Sequence, residues 1–242
     1  MMFDADDKVV LQFSGGKDSL ACLYLLREHW DRLIVVWCDT GDALPETHAQ
    51  MAEIRKLVRT FVAVKSNQPE QIARCGPPAD VVAVWSTPGG RSMRVDNPLP
   101  PVQAPFDCCK ENIWMPMHRA CTSLGATVIV RGQRTDERIK SPIRSGTIYN
   151  GVKYLFPLED WTEDQVRGYL LSVGAQLPAH YAYFNSSLDC GHCTGYLSEN
   201  VGRMRYLREH HPDVHAEVEQ RLARVMLGAA TELQHIVQAM KE

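Results

Sequence analysis

The chain has 242 residues, 45% of them hydrophobic and 23% charged, with a formal net charge of −3. That balance suits a soluble globular protein with one large domain, or one domain and a small appendage. It excludes a membrane span, since no apolar run is long enough, and no basic excess advertises nucleic acid.

The opening stretch MMFDADDKVV is acidic and lacks an apolar h-region, which predicts a cytoplasmic chain without a signal peptide. KVVLQF then reads as a buried strand, and Ser19 to Trp30 as the helix after it. Arg32 to Cys38 (RLIVVWC) is a second buried strand, ending at Asp39-Thr40-Gly41. Pro45 to Val58 has helical spacing with Pro45 in the first turn. FVAVK and VVAVW read as short strands, and most of Cys75 to Pro105, rich in Pro, Gly and Ser, as loop.

Lys110 to Leu124 reads as a helix and Thr127 to Gly132 (TVIVRG) as another buried strand. Asn150-Gly151 between β-rich flanks is a hairpin signal. Thr162 with Gln165 makes a capping box that opens the next helix, and Ser198 to Glu242 is mostly helical. Continuous apolar strands alternating with helices predict an α/β fold, a doubly wound parallel sheet covered on both faces. The expected division is a nucleotide- and cluster-binding domain over 1–197 and a helical extension over 198–242 packed on the same domain.

In such folds ligands sit at the carboxyl ends of the strands. Three segments fall there: Ser14-Gly15-Gly16, Asp39-Thr40-Gly41 and Arg131-Gly132-Gln133-Arg134. Glycines between a strand and a helix let backbone N–H groups close on an anion, and the helix adds its positive dipole end. Ser14 and Ser19 supply hydroxyls, Lys17 a mobile charge, and Asp18 a carboxylate. The stretch is a phosphate cradle, though not the G-x-x-x-x-G-K pattern. Arg131, Arg134 and Arg138 offer guanidinium forks to oxyanions, and Lys140 and Arg144 extend a positive rim.

The eight cysteines include two close pairs, Cys108-Cys109 and Cys190-Gly191-His192-Cys193. In a reducing compartment these suit a zinc site, an iron–sulfur cluster or buried thiols rather than disulfides. One tetrahedral ion does not easily take two adjacent cysteines, so Cys108-Cys109 favours a larger cluster. Cys22, Cys38 and Cys121 read as core, Cys75 as a free thiol beside a loop, and Trp85, Trp114 and Trp161 as packing. His192 reads as a hydrogen-bonding neighbour of the ligands.

SGGKDS resembles the PP-loop of the adenine nucleotide alpha hydrolase superfamily. With Asp39-Thr40-Gly41, RGQRTDERIKSP, PLEDWTEDQV and the cysteine pairs, the order resembles the phosphoadenosine phosphosulfate (PAPS) reductase family over roughly residues 8 to 200. The cysteine pattern looks like the [4Fe–4S] ligand set of adenylyl sulfate reductases, which implies Cys108, Cys109, Cys190 and Cys193 as ligands. Two features depart from the sulfonucleotide reductases: no cysteine follows Cys193 to act as their catalytic thiol, and Lys17 is intact. Both point to a nucleotide still carrying pyrophosphate, so the chain looks more like the ATP pyrophosphatases of sulfur incorporation.

The resemblance implies a catalytic set of Lys17, Ser14, Asp39 and Arg134. It implies nucleotide and Mg²⁺ binding by Ser14, Gly15, Gly16, Lys17, Asp18, Ser19, Asp39, Gly132, Arg131 and Arg138. The expected reaction is adenylylation of an acceptor by ATP, followed by sulfur transfer. The sulfur donor is a partner such as a cysteine desulfurase, and a nucleic-acid-bearing partner can bring the acceptor. The alternatives are a divergent APS or PAPS reductase using another chain's thiol, and a non-enzymatic nucleotide- or cluster-carrying subunit.

Overall fold

The computed structural model describes residues 3–94 and 96–242, so the first two residues of the stretch read for a leader lie outside it. One six-stranded sheet forms the centre, in the order β3-β2-β1-β4-β6-β5. Its strands are β1 (Val9–Gln12), β2 (Ile34–Asp39), β3 (Thr60–Lys65), β4 (Val128–Val130), β5 (Ile148–Tyr149) and β6 (Val152–Leu155). Every neighbouring pair is parallel except the β5–β6 hairpin. Helices α1 (Lys17–Leu25), α2 (Pro45–Leu57) and α3 (Gln68–Cys75) follow the first three strands in turn. The chain winds outward from β1 to β3 and then returns to place β4 on the other side of β1. The topological switch point, where α/β sheets bind ligands, is therefore between β1 and β4.

The parallel strands read as continuous apolar runs because both faces are covered. On one face Val9, Leu11 and Phe13 meet Leu20 and Leu23 of α1, with Val166 and Leu170 of α7 (Glu163–Ser172). The other face packs Val10, Ile34, Val36 and Ile129 on Met117 and Cys121. Each such leucine, fully buried, contributes roughly 1.5–3 kcal/mol. Cys22, Cys38 and Cys121 are buried in these layers, as their apolar settings imply.

Short-range signals hold closely. Asn150 (φ 50°) and Gly151 (φ 77°) both take positive φ in the β5–β6 turn, the backbone a two-residue hairpin of matching twist demands. Thr162 and Gln165 form the reciprocal capping box at the start of α7. The structure departs from the sequence reading at Val81 to Trp85, which forms no strand. Between Pro77-Pro78 and Pro88 the run makes only a 3₁₀ turn at Val84–Ser86, followed by α4 (Pro88–Met93). Its side chains Val81 and Val84 are exposed. Trp85 and Trp114 are also exposed rather than core, whereas Trp161 packs edge-on against Tyr169 with ring centroids 5.5 Å apart.

The helix read at Lys110 begins earlier. Helix α5 (Pro105–Cys109) passes through a π turn at Lys110–Trp114 into α6 (Met115–Ser123). Such turns often mark functional positions, and this one directly follows the adjacent cysteines. After α7 come α8 (Arg203–His210) and α9 (Pro212–Ala239). Leu207 and Val218 of these helices share a cluster with Leu44 and Phe184. Among the described residues no helix is long and apolar enough to cross a membrane.

Candidate active site

The β1–α1 turn sits at the switch point. Gly15 takes φ +80°, and Gly16, the N-cap of α1, has no side chain of its own to offer. Ser14 Oγ accepts from the Gly16 N–H at 3.3 Å, and Tyr181 Oη accepts from the Lys17 N–H at 2.7 Å. Lys17 is buried, and its Nζ donates to Asp18 Oδ2 and to the Asn185 carbonyl, both at 3.1 Å. The other carboxylate oxygen of Asp18 accepts from Arg134 Nη1. Arg134, also buried, donates from Nε to Asp136 Oδ1 at 2.8 Å.

A Cβ on Gly132 would stand 2.5 Å from the Asp18 carbonyl carbon and 2.7 Å from Ser19 N. Only a glycine lets the loop after β4 lie against the first turn of α1. That approach brings Arg131 and Arg134 to the phosphate turn. Arg131 Nε donates to Gln12 Oε1 at 2.6 Å, so a neutral amide rather than a carboxylate holds it.

A cavity of about 650 Å³ opens in front of this turn. Ser14, Gly16, Lys17, Asp18 and Ser19 line it, as do Arg131, Gly132, Arg134 and Arg138. Gly15 shapes the turn from behind, where its backbone lies close to Met51 and Gln50. Arg138 pairs across the mouth with Glu199, 2.9 Å from Oε1. Asp39 does not line the cavity. Its Oδ1 accepts from the Gly41 N–H at 3.1 Å in the turn that ends β2.

Three cavity residues escaped the sequence reading. Glu137 lies 3.8 Å from Arg134 Nη1. Burial, and then the Asp18 charge, push its carboxyl up to about 7, against the pull of Arg134 and Lys17. Tyr181 holds the Lys17 amide, and Arg203 at the start of α8 binds the Cys190 and Gly191 carbonyls. The signal for Glu137 was visible three residues after Arg134; nothing local marks the other two.

All four paired cysteines converge. Cys108, Cys109, Cys190 and Cys193 line one small void of about 20 Å³, and the last three also line the large cavity. Each sulfur has a polar neighbour. Asn112 Nδ2 is 3.8 Å from Cys108 Sγ, Tyr196 Oη 3.8 Å from Cys109 Sγ, Thr40 Oγ1 3.3 Å from Cys190 Sγ, and Gly195 N 3.4 Å from Cys193 Sγ. Burial, followed by the neighbouring cysteines, pushes the Cys108 thiol up to about 12, and burial with Cys193 does the same for Cys109. Burial holds Cys190 well above its ordinary value. Thiolates here therefore need a cationic centre, whose binding expels the protons.

Among the described residues no three His, Cys, Asp or Glu side chains converge tightly enough for a single metal ion. Four thiols around one void, three of them facing hydrogen-bond donors, fit a soft-metal centre such as an iron–sulfur cluster. His192 does not line the void. Its ring is tied to Asp42 at 2.6 Å and Glu217 at 3.3 Å, so it anchors the Cys-x-x-Cys loop from outside.

The phosphoadenosine phosphosulfate reductase domain model matches residues 8–196. An adenosine 5′-phosphosulfate reductase from Allochromatium vinosum is 24% identical over 189 residues, covering 78% of this chain and 68% of that protein. The crystal structure of phosphoadenylyl-sulfate reductase from Candida auris, a phosphate complex, superposes with a TM-score of 0.50 at 15% identity. It covers 74% of this chain and 80% of that one. The U34-tRNA thiolase NcsA from Methanococcus maripaludis, solved with its [4Fe-4S] cluster, gives a TM-score of 0.46 at 16% identity, over 91% of this chain and 72% of that one. With the family match spanning the phosphate turn, the loop after β4 and both cysteine pairs, the chain belongs to the phosphoadenosine phosphosulfate reductase domain family.

Proposed function

We propose that this chain is an ATP pyrophosphatase that adenylylates an acceptor for sulfur transfer. The observation that carries this reading is the intact, buried Lys17. It sits at the N-terminus of α1 and faces the same cavity as Cys109, Cys190 and Cys193. In the reaction an acceptor oxygen attacks the α-phosphorus of ATP. The new O–P bond forms as the bond to the β-phosphate oxygen breaks, and pyrophosphate leaves. Lys17, the Ser14 and Ser19 hydroxyls and the N–H groups at the start of α1 offset the charge that builds on the leaving group. Arg131 and Arg134 orient the nucleotide oxyanions. Asp18 and Glu137, the carboxylates beside the turn, would take the Mg²⁺ that accompanies ATP. The persulfide of a donor protein, such as a cysteine desulfurase, then displaces AMP: the C–S bond forms, the C–O bond breaks, and a thiol reductant cleaves the S–S bond that still joins product to donor. A nucleic-acid-bearing partner or a small molecule supplies the acceptor.

Cys108, Cys109, Cys190 and Cys193 would hold a [4Fe–4S] cluster, which supplies iron-bound sulfur and one-electron chemistry beside the nucleotide site. A second reading, a sulfonucleotide reductase whose thiol comes from another chain, is favoured by the relationship to an adenosine 5′-phosphosulfate reductase. One cluster-loaded preparation separates the two. Given MgATP, the first reading expects pyrophosphate; given adenylyl sulfate and a dithiol protein, the second expects sulfite. Sulfite without pyrophosphate would replace the first reading by the second.

A further inference from the structure

A buried carboxamide faces the thiol void with nothing to bond. Gln68 is 1% exposed and lines the void, and neither its Nε2 nor its Oε1 has a hydrogen-bond partner. Burying such a group without a partner is costly, so an unpaired carboxamide in the core implies one. The amides around it are all used. Gln71 Nε2 donates to Gln103 Oε1 at 2.8 Å, Gln103 Nε2 to the Gly76 carbonyl at 2.6 Å, and Asn112 Nδ2 to Gln71 Oε1 at 2.9 Å. The backbone holds Gln68 in place, since its N–H donates to the Thr40 carbonyl at 2.9 Å. The Thr40 hydroxyl in turn touches Cys190 Sγ.

The four cysteine sulfurs already have Asn112, Tyr196, Thr40 and the Gly195 N–H as neighbours. Gln68 is the one lining amide without an assignment. An iron–sulfide centre held by thiolates offers acceptors and no donors, so only the NH₂ end of Gln68 can pair with it.

We propose that Gln68 is a positioning and tuning residue that donates its carboxamide N–H to an inorganic sulfide of the centre held by the four cysteines. The inference rests on the iron–sulfur part of the reading above. A hydrogen bond to sulfide stabilises the added charge of the reduced centre more than the oxidised one, and so raises its potential.

The test uses the full chain, reconstituted anaerobically with iron and sulfide and titrated potentiometrically as wild type, Gln68→Met and Gln103→Met. Methionine keeps the bulk and removes the donor, and Gln103→Met breaks the neighbouring buried amide chain away from the void. The expected result is equal iron and sulfide content, a more negative midpoint for Gln68→Met, and a wild-type midpoint for Gln103→Met. An unchanged midpoint in Gln68→Met, or equal shifts in both variants, overturns the role of Gln68 alone. A wild-type chain that takes up no iron and sulfide overturns the iron–sulfur reading and the inference with it. If Gln68→Met does not fold, wild type labelled with ¹⁵N in its glutamine side chains decides the matter. Hyperfine coupling of an amide nitrogen to the reduced centre supports the bond, because Gln68 is the only glutamine lining the void among the described residues; its absence overturns it.

Discussion

Arg134, buried, and Asp18, half-buried, form an ion pair that ties the loop after the fourth strand to the first turn of the first helix. Lys17 takes the other carboxylate oxygen, so Asp18 bridges the two cations, and Asp136 also pairs with Arg134. Removing one partner of a buried pair leaves an uncompensated charge, so Asp18→Ala should cost about 3 kcal/mol in urea unfolding. Asp18→Ala combined with Arg134→Ala should cost clearly less than the two single changes summed. Additive losses would mean that the pair is not coupled.

The buried ammonium of Lys17 is the single group whose loss should stop chemistry without unfolding the domain. Lys17→Ala is expected to lower pyrophosphate release from MgATP by about 10²–10³-fold, as the loss of one preorganised charge stabiliser does. Coupled pyrophosphate detection beside a circular dichroism spectrum checks both halves. Release at the wild-type rate would exclude Lys17 from the leaving-group site.

Two glycine-to-alanine changes should move stability in opposite directions. At Gly132 the new Cβ would press on backbone at 2.5 Å and 2.7 Å, which cannot swing aside. The expected cost is about 1–3 kcal/mol, with weaker nucleotide binding. At Gly168, inside α7, nothing lies within 4 Å, and helix propensity alone acts. Gly168→Ala should stabilise by about 0.5–1 kcal/mol. Thermal melts of the pair suffice, and equal shifts of the same sign would contradict the packing described.

Replacing Cys108, Cys109, Cys190 or Cys193 by serine should each abolish iron and sulfide uptake. Cys75→Ser should leave it intact, because Cys75 does not line the void. Iron and sulfide analysis with the visible absorption spectrum reads the difference. Uptake by all four variants would assign the thiols to packing.

Glu137 makes apo-protein stability depend on pH. Its folded-state value of about 7 exceeds the usual carboxylate range, because burial and Asp18 disfavour the charged form. The native state thus holds a proton that the unfolded chain has lost, and stability falls as pH rises from about 4.5 to about 7. With the side chain 27% exposed, the loss is on the order of 2 kcal/mol. Glu137→Gln should flatten that stretch of the profile, and added MgATP should flatten it in wild type. Parallel profiles for wild type and Glu137→Gln would remove Glu137 from the pocket's electrostatics.

What the sequence by itself determined was local. The strand-turn-helix around Ser14 to Ser19, the Asn150-Gly151 hairpin and the Thr162–Gln165 box are each specified within a few residues by periodicity, φ preference and side-chain capping. The cysteine pairs were equally legible, and so was the arrival of Arg131 to Arg134 at a strand end. Tertiary structure decided which polar groups face a common space. Tyr181 meets an amide 164 residues away, Gln68 reaches the void from a different strand's helix, and Asp39 turns back onto Gly41 at the end of a correct strand. Val81 to Trp85 had the apolar run of a strand, yet it lies exposed and makes only the 3₁₀ turn at Val84–Ser86. The physical reason is range. Backbone preferences act over a few residues, whereas burial, charge compensation and hydrogen-bond satisfaction depend on neighbours that only the folded chain brings together.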